Sequence, residues 1–372
     1  MPWLHLHIGT DGLVKACCNT NITYGDINKQ SIDEIWDGKE IKTFRKNLIK
    51  GVEDKRCASC FKKEAANKQS IRLETLSKFE HKLDWVEQTD GDGNCEPSQP
   101  IYLDIRFNNL CNLKCRTCWH GASSSWFEEA KKLKNNFGDK AIIEATTEPE
   151  GLINQLFESD LAIEEIYFAG GEPLMMEEHY FLLDQLILKG KTDVHLRYNS
   201  NLSFLKLKKN DVLAYWQKFS KVTVSASIDS MGAKGEYIRK GLDWNRFLHN
   251  LRRINAEASH VKLEIAPTIS VFNVLDIGDM HRFFVDQQLI GINDIYLNLL
   301  ARPNFQNVKV LTTLQKTSAF KSLNAHIDWL TTQGASEKVI EEFQAIIDYM
   351  MKDDWSGQWP SFLKHSATLD DF

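Results

Sequence analysis

Ile101-Tyr102-Leu103-Asp104-Ile105-Arg106-Phe107-Asn108-Asn109-Leu110-Cys111-Asn112-Leu113-Lys114-Cys115-Arg116-Thr117-Cys118 is the stretch on which the fold turns. Its first seven residues read as a strand, and three cysteines follow with the spacing C-x3-C-x2-C. Roughly fifty residues later the same order recurs: the strand-like Glu164-Glu165-Ile166-Tyr167-Phe168-Ala169 runs straight into Gly170-Gly171-Glu172-Pro173. Further strand-like runs are DVHLRYNSN at 193–201, KVTVSASID at 221–229, VKLEIAPTIS at 261–270 and NDIYLNLL at 293–300. Segments with helical spacing separate them, such as Tyr180 to Lys189 and Trp244 to Ala256. Strand, crossover helix and strand in repeated order predict a parallel sheet with right-handed connections. The fold class expected is therefore α/β, a partial (β/α)6 TIM-like barrel over 101–303. Every motif falls at a strand's carboxyl end, where sites in such barrels collect.

The flanks read differently. Residues 1–75 hold a first cysteine group, Cys17, Cys18, Cys57 and Cys60, and 76–100 reads as a linker because QTDGDGNCEPSQP is rich in turn formers. Trp3 to Ile8 alternates like a strand, the turn Asp11-Gly12 follows, and Leu13 to Cys18 completes a hairpin. From Thr312 to Asp353 the apolar spacing is helical, so 304–372 is expected to be a helical extension, and the tail SFLKHSATLDDF reads as a truncated end without a cap.

Bulk properties narrow the classes. The chain has 372 residues, 42% hydrophobic and 26% charged, a globular balance, with a net charge of −6 that argues against a nucleic-acid-binding face. No apolar run is long enough to span a bilayer, and MPWLHLHIGTDG lacks the pattern of a secretory signal, so a cytoplasmic location is expected. In a reducing compartment eight cysteines point to metal or catalysis rather than disulfides.

Three thiolates on one loop can hold three irons of a 4Fe-4S cube and leave the fourth open to another ligand. A zinc site with a distant fourth ligand is the competing reading. The glycines of Gly170-Gly171 let backbone approach a ligand closely, and Glu172 and the local carbonyls can accept hydrogen bonds from an amine.

The triplet and the GGEP turn, each after a strand and in this order, resemble the radical S-adenosylmethionine superfamily. The resemblance implies that Cys111, Cys115 and Cys118 hold the cluster, that Gly170, Gly171, Glu172 and Pro173 hold the methionine amine, and that the sulfonium bond breaks to a 5'-deoxyadenosyl radical. It also places Ser200 and Asn201 near the cofactor, Ser227, Asp229 and Arg239 at the ribose and methionine carboxylate, and Asn273 facing the cofactor. On sequence terms alone Ser200, Ser227 and Asp229 are equally strand-end and turn hydrogen bonders. Relatives often carry an aromatic residue before the last cysteine; here Thr117 stands there, with Trp119 after.

Residues 3–60 resemble the twitch domain, a shortened SPASM domain bearing an auxiliary cluster, placed here before the barrel. Gly12 and Cys17 fit its Gly-x4-Cys, and the cysteine that the family places first would fall just upstream of Met1. Cys17, Cys57 and Cys60 supply three ligands; Cys18, Cys95, His5 or His7 are the candidates for a fourth. Zinc held by Cys17, Cys18, Cys57 and Cys60 remains open, because C-x2-C suits either metal. For Cys95 the plain reading is a thiol in a flexible loop, and for the histidines an exposed strand face.

The expected function is a radical enzyme that cleaves S-adenosylmethionine and abstracts hydrogen from a peptide, sugar or small molecule, with oxidation or cross-linking favoured. A flavodoxin- or ferredoxin-like electron donor is the expected partner, with no nucleic acid and no membrane. A non-catalytic electron-transfer protein is the alternative. No acid or base can be singled out from the sequence.

Overall fold

The six expected strand regions all form, and three more strands come from the cysteine-rich start. A computed structural model describes residues 1–65, 70–158 and 161–372. The main sheet has eight strands, labelled here β1 His5–Ile8, β2 Leu13–Lys15, β3 Thr23–Asp26, β4 Tyr102–Ile105, β5 Glu165–Phe168, β6 His195–Ser200, β7 Val222–Ala226 and β8 Lys262–Ile265. This is the partial (β/α) barrel read from the sequence. The chain divides into two compact units, and β6 crosses the division between Arg197 and Tyr198.

In the first unit (1–109, 142–197 and 218–221), β1 and β2 form the expected hairpin, in register His7↔Lys15, and β3 adds antiparallel to β2. What the sequence reading did not foresee is that β1 also pairs in parallel with β4, His5↔Tyr102 through Ile8↔Ile105. β5 then pairs in parallel with β4, Tyr102↔Glu165 through Ile105↔Phe168. A two-residue side-chain period sorts these strands into two faces. Leu6, Ile8, Leu103, Ile105, Ile166 and Phe168 form a fully buried apolar one.

The opposite face is polar yet also buried, which corrects the expectation that His5 and His7 lie exposed. His7 Nδ1 sits 2.8 Å from Asp104, and His5 Nδ1 sits 3.0 Å from the Ala16 carbonyl while its ring lies against Tyr102. Glu165 takes His195 at 3.0 Å, Arg197 at 3.3 Å and Lys78. Burial would push the Asp104 carboxyl up, but Arg106 and His7 prevail and hold it at about 2.

The segment read as a linker is folded. Phe79, Trp85 and Cys95 pack with Trp3, Leu4, Ile101 and Tyr102 in one buried cluster, and the Cys95 thiol donates to the Trp85 carbonyl at 3.0 Å. Cys95 is therefore a core residue rather than a thiol in a flexible loop.

In the second unit (110–141, 198–217 and 222–372), β7 and β8 pair in parallel, Thr223↔Lys262 through Ala226↔Ile265. Ile295 bridges to Ile265, and Asn298–Leu299 pairs with Thr268–Ile269, completing the sixth strand region. The crossover helix Trp244–Glu257 starts at Asp243, whose carboxylate accepts from the Arg246 N–H at 2.9 Å, and buries Phe247, Leu251 and Ile254.

The helical extension is present as Thr313–Thr332, Glu337–Lys352 and Trp359–Asp370. It docks on the helix Ile277–Asp286 through a buried pair, His281 Nδ1 to His326 Nε2 at 3.0 Å, walled by Phe343 and Trp329. Burial holds His281 at about 4 and His326 at about 3, below the usual 6.5. The unfolded chain therefore binds more protons between these values, so stability is full above pH 6.5 and falls as pH drops towards 3, by about 1.4 kcal/mol per pH unit per histidine. Urea unfolding between pH 7 and 5 is expected to show this slope together with that of the other buried histidines, His5 and His179, and a His281→Gln/His326→Gln double variant to reduce it. Equal slopes in both proteins would refute the assignment.

Candidate active site and cluster loops

The triplet loop follows β4 and is fastened by its own backbone. The Ser125 hydroxyl donates to the Cys111 carbonyl at 2.7 Å, Ser123 to the Leu113 carbonyl at 2.7 Å, and the Trp126 indole to the Cys115 carbonyl at 3.2 Å. Lys114–Cys115 forms a short antiparallel ladder with Arg239–Lys240, opposing Cys115 to Arg239. The turn after that ladder needs Gly241 at φ 100°, since a Cβ there would meet the Asn112 carbonyl at 3.0 Å.

Hydrogen-bond donors converge on the sulfurs. The Leu113 N–H lies 3.5 Å from Cys111 Sγ, Asn201 Nδ2 lies 3.8 Å from the same sulfur, and Arg239 Nη1 lies 3.7 Å from Cys115 Sγ. Burial pushes the Cys118 thiol up to about 12 and raises Cys115 against the pull of Arg239, so these thiols ionise when a metal takes the proton's place. Among the described residues, no three His, Cys, Asp or Glu side chains form a group that could hold one metal ion. A cube asks for something else: three thiolates on three different irons, with donors around the sulfurs tuning the potential. The loop and its donors fit that group.

Behind the sulfurs lies a buried ion pair. Arg239 Nε and Nη2 meet the two oxygens of Asp229 at 2.9 and 3.0 Å, and the Thr268 N–H donates to Asp229 at 2.8 Å. Asn273 donates to the Asp229 and Thr268 carbonyls at 2.9 and 3.0 Å and accepts from the Ser270 N–H at 2.9 Å. Asp229 thus holds Arg239, and Asn273, expected to face the cofactor, is fully buried with its amide engaged by backbone. Its side chain is a strut between strand ends.

Of the other expected contacts, Ser200 accepts from the Leu202 N–H at 3.0 Å, and Asn201 donates to Asn112 Oδ1 at 3.0 Å while accepting from the Ser203 N–H at 2.9 Å. Asn112 in turn donates to the Ser203 hydroxyl at 2.9 Å. The Ser227 N–H donates to the Ser200 carbonyl at 2.7 Å, which leaves the half-buried Ser227 hydroxyl at a strand end.

In the first unit, Gly170 and Gly171 both take left-handed φ, 79° and 55°. A Cβ on Gly170 would lie 3.0 Å from the Arg106 side chain, so the stem of Arg106 rests directly on this turn. The Glu172 carboxylate is buried and caps the following helical turn Pro173–Met175 by accepting from the Leu174 N–H at 3.2 Å. The Tyr180 hydroxyl fixes the same turn at the Leu174 carbonyl, 3.1 Å away.

Cys17, Cys57 and Cys60 line one cavity of about 700 Å3, within the range of about 300–1,000 Å3 usual for ligand pockets. Its wall is mostly apolar, with Phe44, Leu48, Phe61 and Ile71, and carries Glu64 and Arg72. Asp54 caps the turn leading to Cys57 by accepting from the Arg56 N–H at 2.9 Å. Burial pushes Cys17 up to about 12. Cys18 is not in this wall; after burial, its main electrostatic neighbours are Asp104 and Arg106. Cys95, His5 and His7 are bound to other partners as described. The structure therefore gathers three of the four N-terminal cysteines, which suits a cluster with a separately supplied fourth ligand.

Four residues with visible roles escaped the sequence reading. Arg106 and the Asn112–Ser203 pair carry no local pattern, and Arg116 stood in plain view inside the triplet as a spacer.

Comparison with known proteins bears on both regions. Residues 1–61 match the model of the SPASM iron–sulfur cluster-binding domain, and residues 105–282 match the model of the radical SAM superfamily. Among solved structures, native anSMEcpe with bound AdoMet is 16% identical with a TM-score of 0.45, and the match covers 63% of this chain and 62% of that one. SuiB from Streptococcus suis, bound to S-adenosylmethionine, is 14% identical with a TM-score of 0.41 over 89% of this chain and 68% of that one.

Proposed function

Because the chain belongs to the radical SAM superfamily, with a SPASM-type iron–sulfur domain ahead of the barrel, we propose that it reductively cleaves S-adenosylmethionine and uses the resulting 5'-deoxyadenosyl radical to take hydrogen from a bound substrate. The cofactors are a 4Fe-4S cluster on the triplet, an auxiliary iron–sulfur cluster and S-adenosylmethionine. When bound, the triplet cluster supplies the electron that breaks the sulfonium bond.

The observation that carries this reading is the setting of Cys111 and Cys115: their sulfurs sit on a loop locked by backbone pairing and are faced by N–H donors of Leu113, Asn201 and Arg239. Backbone at Gly170 and Gly171, open because neither has a Cβ, suits close approach of the methionine amine. Arg239, oriented by Asp229, presents one edge of its fork to Cys115 and suits the methionine carboxylate beside it. The Ser227 hydroxyl suits a ribose oxygen. Glu172 acts mainly by shaping its turn.

Cys17, Cys57 and Cys60 are assigned as ligands of the auxiliary cluster, whose role would be to accept an electron or to bind substrate. Oxidation or cross-linking of a peptide, sugar or small molecule is the favoured outcome, with a flavodoxin- or ferredoxin-like donor and a cytoplasmic setting. Among the described residues, no helix is long and apolar enough to cross a membrane.

The test is iron, sulfide and zinc content of anaerobically prepared protein, then reduction with S-adenosylmethionine and assay of 5'-deoxyadenosine. About eight irons and deoxyadenosine are expected. About four irons with zinc would make the first domain structural, and well-loaded protein that forms no deoxyadenosine would favour an electron-transfer role.

A further inference from the structure

Arg116 lies between two cluster cysteines, yet every described partner of its guanidinium is elsewhere. Nε donates to the Tyr237 carbonyl at 3.0 Å, Nη1 donates to the Ser366 carbonyl at 3.4 Å, and Nη2 pairs with Asp370. The guanidinium lies over the Tyr237 ring, 3.7 Å from its centroid. Its backbone is held as well: the Arg116 N–H donates to the Ile238 carbonyl at 2.8 Å, and the Arg116 carbonyl accepts from Gln306 Nε2 at 2.9 Å.

Ser366 and Asp370 belong to the helix Trp359–Asp370, which is anchored independently by Phe362 on Phe272 and by His365 on Phe305. The helix thus has its own seat beside the loop, and the Arg116 side chain ties the two together. The contact with Asp370 alone would hold little, because that carboxylate is 49% exposed and a solvated pair is weak. What makes the attachment firm is the planar fork of arginine, which meets two carbonyls and a carboxylate while stacking on a ring, an arrangement lysine cannot copy.

We propose that Arg116 is a positioning residue that pins the Cys115–Cys118 segment to the helix Trp359–Asp370, so that docking of this helix governs how tightly the triplet retains its cluster. This rests on the reading that the triplet holds a cluster. The chemistry requires only three thiolates; the clamp restricts the motion of the segment that carries two of them, and an iron leaves a rigid loop more slowly than a loose one.

The experiment uses full-length, anaerobically loaded protein, a ferrous chelator as probe, and the EPR signal of the reduced protein with and without S-adenosylmethionine. The signal that responds to S-adenosylmethionine reports the triplet cluster, and the other signal is an internal control in the same molecule. Arg116→Gln is expected to speed iron loss from the responsive cluster about tenfold, the rate equivalent of one charge-assisted hydrogen bond, and to broaden its signal. Arg116→Lys should restore only part of the retention, and Asp370→Asn should speed loss about twofold, since the carbonyl and ring contacts remain. Asp370→Asn carries the test if Arg116→Gln does not fold. Loss at the wild-type rate in the variants that fold, or equal acceleration of both clusters, would overturn the proposal in favour of ordinary packing. Wild-type protein with no responsive cluster would instead defeat the underlying reading, and that is seen before any variant is made.

Discussion

Cys115→Ala is expected to leave protein with about half the wild-type iron, an intact auxiliary EPR signal and no detectable 5'-deoxyadenosine, while Cys18→Ala keeps both clusters and the activity. Three thiolates are the minimum for a cube with one open iron, and removing the middle one leaves only Cys111 and Cys118, while the backbone ladder that places the loop is kept. The converse variant, Cys60→Ala, should lose the auxiliary signal but still form deoxyadenosine without substrate, because its cavity is built by other residues of the first unit. Cys18 separates the cluster reading from the zinc reading. Four-cysteine zinc needs it as a ligand, whereas the structure sets it apart from the cavity that holds Cys17, Cys57 and Cys60. Zinc in the wild type that is lost in Cys18→Ala would reverse the assignment, and deoxyadenosine from Cys115→Ala would refute the triplet's role.

The parts legible in the sequence are those written in short-range pattern. Alternation over four to six residues exposed each barrel strand, and the paired glycines marked a turn of close backbone approach, in which both Gly170 and Gly171 take left-handed φ. Long-range pairing left no such mark. Alternation in His5–Ile8 predicts a strand but not its neighbour, so its parallel partner β4 was invisible, and with it the burial of His5 and His7. The stretch from Gln88 to Pro100 has the composition of a linker, but composition does not record that Trp85 and Cys95 are covered by Trp3 and Phe79. Asn273 shows the same limit for function: a polar residue near a strand end can serve a ligand or a backbone, and only its three hydrogen bonds show that the backbone claims it. Arg116 and Asp370 are far apart in sequence, and neither has a local signal that would pair it with the other.

Asp229→Ala is expected to cost about 3–5 kcal/mol of stability, because it strands the buried Arg239 guanidinium without a counter-charge and leaves the Thr268 N–H unpaired. A lower chemical-denaturation midpoint of the loaded protein checks this. The double variant Asp229→Ala/Arg239→Met separates stability from function. Removing both charges relieves the stranded cation, so much of the lost stability should return. Binding of S-adenosylmethionine should not return, since the donor that faces Cys115 is gone. Stability and binding that recover together would show that the pair only holds β7 to its neighbours. Stability that recovers while binding stays lost would assign Arg239 to the cofactor and Asp229 to holding it in place. Arg239→Lys sharpens the point: it keeps the charge opposite Asp229 but cannot reach the carboxylate and Cys115 with one rigid fork. It is therefore expected to fold nearly as well as wild type and to bind S-adenosylmethionine at least tenfold more weakly, about the loss of one charged hydrogen bond.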